Sequence, residues 1–226
     1  MTLGFTEART AYIDKYPTSP FFDTWVPEEK FVGAEVDAHG NFTISREDEG
    51  IYGIALGPSP VIPVDWKNFS MESRGIASLP SEFKVVAEWD CYWAPTVEGN
   101  LESSDSSADP VIKAFLKQHA PDSSVFPGND EILQWIEVYD EGELVAVAAL
   151  CRWESGRVVI SSVATHTDRR GKGFGKQLIE NCLIAGSQIG EEFLCLGVRH
   201  KNESAQRLYA STGFTLMHNF TYCERR

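Results

Sequence analysis

Cationic residues are scarce in this chain. Twenty Lys and Arg face 33 Asp and Glu across 226 residues, a formal net charge of −13. A balance of that sign disfavours nucleic acid, whose phosphates are held only where a basic surface replaces their counterions. Long apolar runs are missing too: no stretch reaches 18 residues, so no membrane-spanning helix is expected. The first residues, MTLGFTEARTAYIDKYP, lack a basic segment followed by an apolar one, so no signal peptide is expected there. The five cysteines (Cys91, Cys151, Cys182, Cys195, Cys223) are odd in number, scattered and without a C-x-x-C pair. Buried free thiols in a reducing cytoplasm are the simpler expectation, with no metal centre.

What is present is an ordinary folded composition, 42% hydrophobic and 23% charged, enough for one large domain or two small ones. The charge is unevenly spread. Residues 1–106 carry 18 acidic and 7 basic side chains, a balance of −11, whereas residues 107–226 carry 15 and 13. An acidic half concentrates cationic ligands around itself, or simply keeps a surface soluble.

The Ser/Asp-rich segment Val97–Asp109 (VEGNLESSDSSAD) has no periodicity and marks a boundary, dividing the chain into 1–106 and 107–226. Before it, Gly50–Gly57, Ser59–Trp66 and Phe83–Trp93 read as strands punctuated by Pro and Gly. Ala8, Ala11 and Tyr12 predict a helix over Thr6–Lys15. After the boundary, Asp109-Pro110 offers an N-cap and a first-turn proline to a helix faced by Val111, Ala114 and Phe115. Ile132–Tyr139 reads as a helix end running into a strand, and Glu141-Gly142 as a turn. Leu144–Leu150 and Arg157–Ala164 follow as strands around a turn at Ser155-Gly156. Phe174–Ile189 is then a helix, Phe193–Val198 a strand, Ser204–Thr212 a helix capped by Gly213, and Phe220–Cys223 a last strand. This is an α/β (α+β) chain: a mixed twisted sheet with helices on both faces, preceded by a strand-rich part.

The chemistry gathers in the turn Thr165–Lys176 (THTDRRGKGFGK). Three glycines within five residues let backbone N–H groups approach a ligand, and the helix that follows adds its unpaired first-turn amides. A phosphate or pyrophosphate is the natural guest, with Arg169, Arg170, Lys172 and Lys176 around it. The spacing fails two familiar patterns. A dinucleotide fingerprint started at Gly171 or Gly173 requires glycine where Lys176 or Leu178 stands. A P-loop requires glycine at Arg170 and a hydroxyl at Gln177.

Arg170-x-x-Gly173-x-Gly175 does resemble the acetyl-CoA loop, Gln/Arg-x-x-Gly-x-Gly/Ala, of the GCN5-related N-acetyltransferase (GNAT) superfamily. Asn202-x-x-Ala205-x-x-Leu208-Tyr209-x-x-x-Gly213-Phe214 is similar to that family's fourth helix and following strand. The resemblance covers roughly Asp109–Arg226. It implies a GNAT fold, acetyl-CoA as cosubstrate and acetyl transfer to an amine. Backbone groups of Val163, Ala164 and Thr165 would meet the pantetheine arm. The amides of Gly171, Lys172, Gly173, Phe174, Gly175 and Lys176 behind Arg170 would hold the pyrophosphate. Asn202 would touch the pantetheine or cap its helix, and Tyr209 would give a proton to the departing thiolate.

The position where some members carry a glutamate base is Val159 here, with Ser161 and Ser162 nearby. The proton of the attacking amine would therefore leave through water, towards Glu137 or Asp90. His166 reads as a turn residue. In the front half, Val86–Trp93 resembles the Trp-Asp strand of two-part bacterial acetyltransferases, whose N-terminal part can be a degenerate copy of the same fold. Asp90 beside Trp89, Tyr92 and Trp93 suits a cationic amine by charge and cation–π contact. A diamine or polyamine acceptor is the leading expectation. Acetylation of a protein lysine or N-terminus, and a non-catalytic acyl-CoA-binding regulator, stay open, as does a homodimer.

Overall fold

The computed structural model describes residues 2–101 and 107–226. In chain order its elements are α1 (Phe5–Lys15), α2 (Phe21–Trp25), β1 (Phe31–Val36), β2 (Phe42–Asp48), β3 (Gly50–Leu56), β4 (Asn68–Glu72), β5 (Phe83–Pro95), α3 (Asp109–His119), β6 (Ile132–Asp140), β7 (Glu143–Arg152), β8 (Val158–Thr165), α4 (Phe174–Gln188), β9 (Phe193–Arg199), α5 (Glu203–Ser211) and β10 (Thr215–Arg225). They fall into two compact units. The first is Met1–Cys91 with Gly197–Glu203 and Leu216–Arg226; the second is Tyr92–Leu196 with Ser204–Thr215. The boundary expected after residue 106 falls at the edge of 102–106, which lie outside the described residues.

In the first unit, β1, β2 and β3 form an antiparallel meander. β4 then joins β3 in parallel, and β10 pairs antiparallel with β4. A parallel return needs a long connection, supplied here by residues 57–67. The expected strand at Ser59–Trp66 is absent from that connection. Pro58, Pro60 and Pro63 remove donors that a ladder would need. Trp66 is fully buried and lies across Gly53, where a Cβ would stand only 2.1 Å from its ring. Its indole N–H donates to Ser45 Oγ. Below it Phe69, Met71, Phe83 and Cys223 close a core.

α1 starts where Gly4 N–H donates to the Glu7 carboxylate at 3.0 Å, and it buries Ala8 and Tyr12 as its spacing requires. Tyr12 belongs to a buried polar chain. Its hydroxyl meets His218 Nε2 and Ser19 Oγ, each at 2.7 Å, and His218 Nδ1 meets Glu72 Oε1 at 2.7 Å. Glu72 also accepts from Gly57 N–H and the Arg74 guanidinium.

The second unit repeats the succession with a helix added. α3 precedes the antiparallel strands β6, β7 and β8, and α4 carries the chain over to β9, parallel to β8. β7 is buried from Val145 to Cys151, so it reads as a continuous apolar run rather than an alternation. Glu141 and Gly142, both at positive φ (54° and 83°), make the tight turn between β6 and β7. The helical start expected at Ile132 is strand throughout. Pairing with buried β7 from Ile132↔Cys151 to Asp140↔Glu143 overrides the local pattern. α3 opens on Ala108, one residue before the expected cap, with Pro110 in its first turn. Ile112, Phe115 and Leu116 cover Val147 and Ala164. All five cysteines are free and buried.

Candidate functional site

β8 carries the chain into the glycine-rich turn. Its ladder with β7 runs to Val147↔Ala164 and Ala146↔Thr165, but its parallel register with β9 has one pair among the described residues, Val159↔Cys195. Beyond Val159, the side of β8 that faced β9 has no further ladder partner among them. Val163, Ala164 and Thr165 lie in that stretch.

After β8 the chain makes one 3-10 turn at Thr167–Arg169, where His166 Nδ1 accepts the Asp168 N–H at 3.2 Å. His166 is thus the turn residue expected, and its ring lies 4.2 Å from that of His119. Gly171 (φ 78°) and Gly173 (φ 94°) adopt left-handed conformations, and Gly173 is the N-cap of α4. An added Cβ at either glycine would meet nothing within 4 Å, so the space before the backbone is open. Gly175 is small for a different reason: its Cβ would lie 3.3 Å from Leu208 and 3.4 Å from Thr165 Oγ1.

The first α4 donor with a backbone acceptor outside the helix is Gln177, bonded to Gly173 O at 3.0 Å. The six amides of Gly171 through Lys176 have no acceptor among the described residues. Together with the positive end of a 15-residue helix, such a row suits a pyrophosphate by hydrogen bonding and charge alike.

The basic side chains are placed less uniformly than the sequence suggests. Arg169 pairs with Asp140 (2.9 Å) and Glu143 (3.5 Å) at the β6–β7 turn. Arg170 donates to the carbonyls of Thr165 and His119. Lys176 pairs weakly with Glu180 one turn on, and Lys172 is exposed. Arg170 therefore braces the loop, and the backbone amides remain without an acceptor among the described residues. His119 was not singled out in the sequence. Its imidazole meets the Thr167 hydroxyl at 3.0 Å and accepts the Thr167 N–H. Burial, then His166 and Arg170, lowers its pKa below the ordinary value.

Tyr209 on α5 is 5% exposed, with its ring between Tyr92 (6.0 Å) and Phe214 (5.8 Å). Burial, then the Cys182 thiol, raises its phenol pKa, so it holds its proton at neutral pH. Its hydroxyl has no hydrogen-bond partner among the described residues.

Glu137 on β6 accepts the Ser107 N–H with both oxygens (3.1 and 3.0 Å) and the Tyr139 hydroxyl at 2.7 Å. Val159 is buried, as its apolar side chain demands. Asn202, assigned to the first unit, directly precedes α5 in the N-cap position. Asp90, also in the first unit, is 1% exposed. It meets His200 Nδ1 with both oxygens at 3.0 Å and accepts from Asn219 Nδ2 at 2.7 Å. His200 went unremarked in the sequence, although it stands two residues before Asn202.

A model of the acetyltransferase (GNAT) family matches residues 102–214, half of the chain. The chain belongs to the acetyltransferase (GNAT) family. Membership implies acetyl-CoA as cosubstrate, and the row of amides at the start of α4 fits its pyrophosphate. An uncharacterized N-acetyltransferase of Mycobacterium bovis is 33% identical over 76 residues, 34% of this chain and 49% of its own length. An L-amino acid N-acyltransferase of Escherichia coli is 26% identical over 81 residues, 34% of this chain and 47% of its own. The chain thus spans about half the length of these curated relatives. Among solved structures, a GNAT-family acetyltransferase from Colwellia psychrerythraea matches 100% of this chain and 99% of its own (TM-score 0.53, 14% identity). A putative GNAT acetyltransferase from Novosphingobium aromaticivorans matches 65% and 69% (TM-score 0.51, 24% identity). These likenesses are likenesses of fold. Among the described residues, no helix is long and apolar enough to cross a membrane, and no group of three or more His, Cys, Asp or Glu could hold a metal ion.

Proposed function

We propose that this GNAT-family chain transfers the acetyl group of acetyl-CoA to a primary amine. The observation that carries this reading is the row of six amides from Gly171 to Lys176 without an acceptor among the described residues, opening α4 around two left-handed glycines. Acetyl-CoA supplies the activated thioester; the chain's residues bind it and manage protons. In this reading the backbone of Val163–Thr165 holds the pantetheine arm. Tyr209 protonates the leaving thiolate, a role supported by its hydroxyl having no hydrogen-bond partner among the described residues. The amine's proton passes through water to Glu137.

The proposed acceptor is a small cationic diamine or polyamine, supported by the −11 balance of residues 1–106. The Escherichia coli relative favours a second reading, in which the acceptor is the α-amino group of an amino acid. Acetyl-CoA-dependent release of free thiol, followed with diamines, amino acids, aminoglycosides and peptides, separates these. Turnover with diamines that declines as salt rises supports the first reading, and turnover confined to amino acids supports the second. Tight CoA binding without turnover of any acceptor would overturn both.

A further inference from the structure

Ser162, on β8, is one of two non-glycine residues with positive φ among those described (52°), the other being Glu141 in its turn. The β7–β8 register passes from Val147↔Ala164 to Ala149↔Ser161, so three steps on β8 face two on β7. This is a β-bulge, and it leaves Ser162 and Val163 without ladder partners among the described residues. A serine in the left-handed region is strained by its Cβ, and such a conformation persists where its surroundings impose it.

Those surroundings are specific. Ser162 is 9% exposed, and its Oγ–H donates to the Val125 carbonyl at 2.8 Å while its Oγ accepts the Val125 N–H at 3.0 Å. One hydroxyl thus satisfies both backbone groups of a residue that is itself 5% exposed. Val125 lies on the connection from α3 to β6. That connection leaves α3 at His119, whose carbonyl is braced by Arg170 and whose ring meets Thr167. The connection is therefore fastened to the end of β8 in two places, at the glycine-rich turn and at the bulge.

We propose that Ser162 is a positioning residue for the acyl donor. By clamping Val125 its hydroxyl holds the bulge, so that the backbone of Val163–Thr165 keeps the direction the pantetheine arm requires. This rests on the acetyl-CoA reading above. A bulge that merely closed the core would be served as well by glycine, which adopts positive φ without strain.

The test is calorimetric titration of wild type, Ser162→Ala and Ser162→Gly with two ligands. One is acetyl-CoA; the other is 3′-phospho-ADP, which carries the pyrophosphate but no pantetheine. Both variants should bind acetyl-CoA about tenfold more weakly, the effect of leaving buried polar groups unpaired, and 3′-phospho-ADP within about twofold of wild type. Wild-type affinity for acetyl-CoA in Ser162→Gly would overturn the proposal, as would equal loss of both ligands. Wild-type protein that bound neither ligand would instead overturn the acetyl-CoA reading, and this proposal with it.

Discussion

Arg170 donates Nη2–H to the carbonyl of His119 at 3.0 Å and Nε–H to that of Thr165 at 3.3 Å, so one guanidinium joins the end of α3 to the end of β8. The planar fork of arginine reaches two carbonyls at once; a lysine ammonium at the same place is a point donor. Arg170→Lys should therefore weaken acetyl-CoA binding several-fold although the charge is kept, and Arg170→Met should weaken it little further. Isothermal titration checks this. A lysine variant that bound like wild type would return Arg170 to the role of a simple phosphate counter-charge.

The glycines of the loop should fail in different ways. Gly175→Ala places a methyl 3.3 Å from Leu208, so it should lower stability by about 1 kcal/mol through crowding, seen as a fall in Tm. Gly171→Ala has room for its methyl but not its φ of 78°, which costs about 1–2 kcal/mol. Its methyl also enters the open space before the amides. Gly171→Ala should thus lose acetyl-CoA affinity out of proportion to its change in Tm, and Gly175→Ala should not.

Tyr209→Phe keeps the ring between Tyr92 and Phe214 and removes only a hydroxyl without a partner. Stability and acetyl-CoA affinity should stay close to wild type. If the phenol protonates the thiolate, kcat should fall about a hundredfold. An unchanged kcat, measured with whichever acceptor the thiol-release panel identifies, would remove the acid role.

Acid should strike the first unit through Glu72. Burial pushes its pKa upward, but the hydrogen bond and charge of His218, then Arg74 and Gly57 N–H, outweigh burial and hold it below the usual value of 4.5. A depressed carboxylate contributes stability that is present above its unfolded pKa and lost as pH falls through the folded one. Unfolding free energy should therefore decline below about pH 4.5. Glu72→Gln should be less stable than wild type at neutral pH by about 2 kcal/mol, with a flatter decline in acid. Denaturant melts across pH 3–7 would show it, and parallel curves would exclude Glu72 as the titrating group.

The second unit was largely legible because its signals are local. β7 is a run too short for a helix, α4 shows one apolar face at helical spacing, and the loop needs glycines where backbone must approach an anion. The first unit was legible in α1, β3, β5 and β10 but not in the rest. β1, β2 and β4 are short and mix polar with apolar residues, so their strand character comes from pairing rather than from their own pattern. Ser59–Trp66 looked apolar enough for a strand, yet its prolines made it a crossover. At the candidate site, the loop could be read from spacing, but the commitments of individual side chains could not. Asp90 is buried against His200 and Asn219, 110 and 129 residues away in the chain. Ser162 gives no sign in the sequence that its φ is positive.

The pairing of β10 with β4, from Phe220↔Glu72 to Glu224↔Asn68, has a consequence for the growing polypeptide. Translation delivers β4 about 150 residues before its antiparallel neighbour (Glu72 and Phe220 are 148 positions apart). His218, which meets both Tyr12 and Glu72, arrives equally late. The segment carrying β4 must therefore wait, with an open sheet edge and Glu72 held by Gly57 and Arg74 but not yet by His218, until nearly all of the second unit has been synthesised.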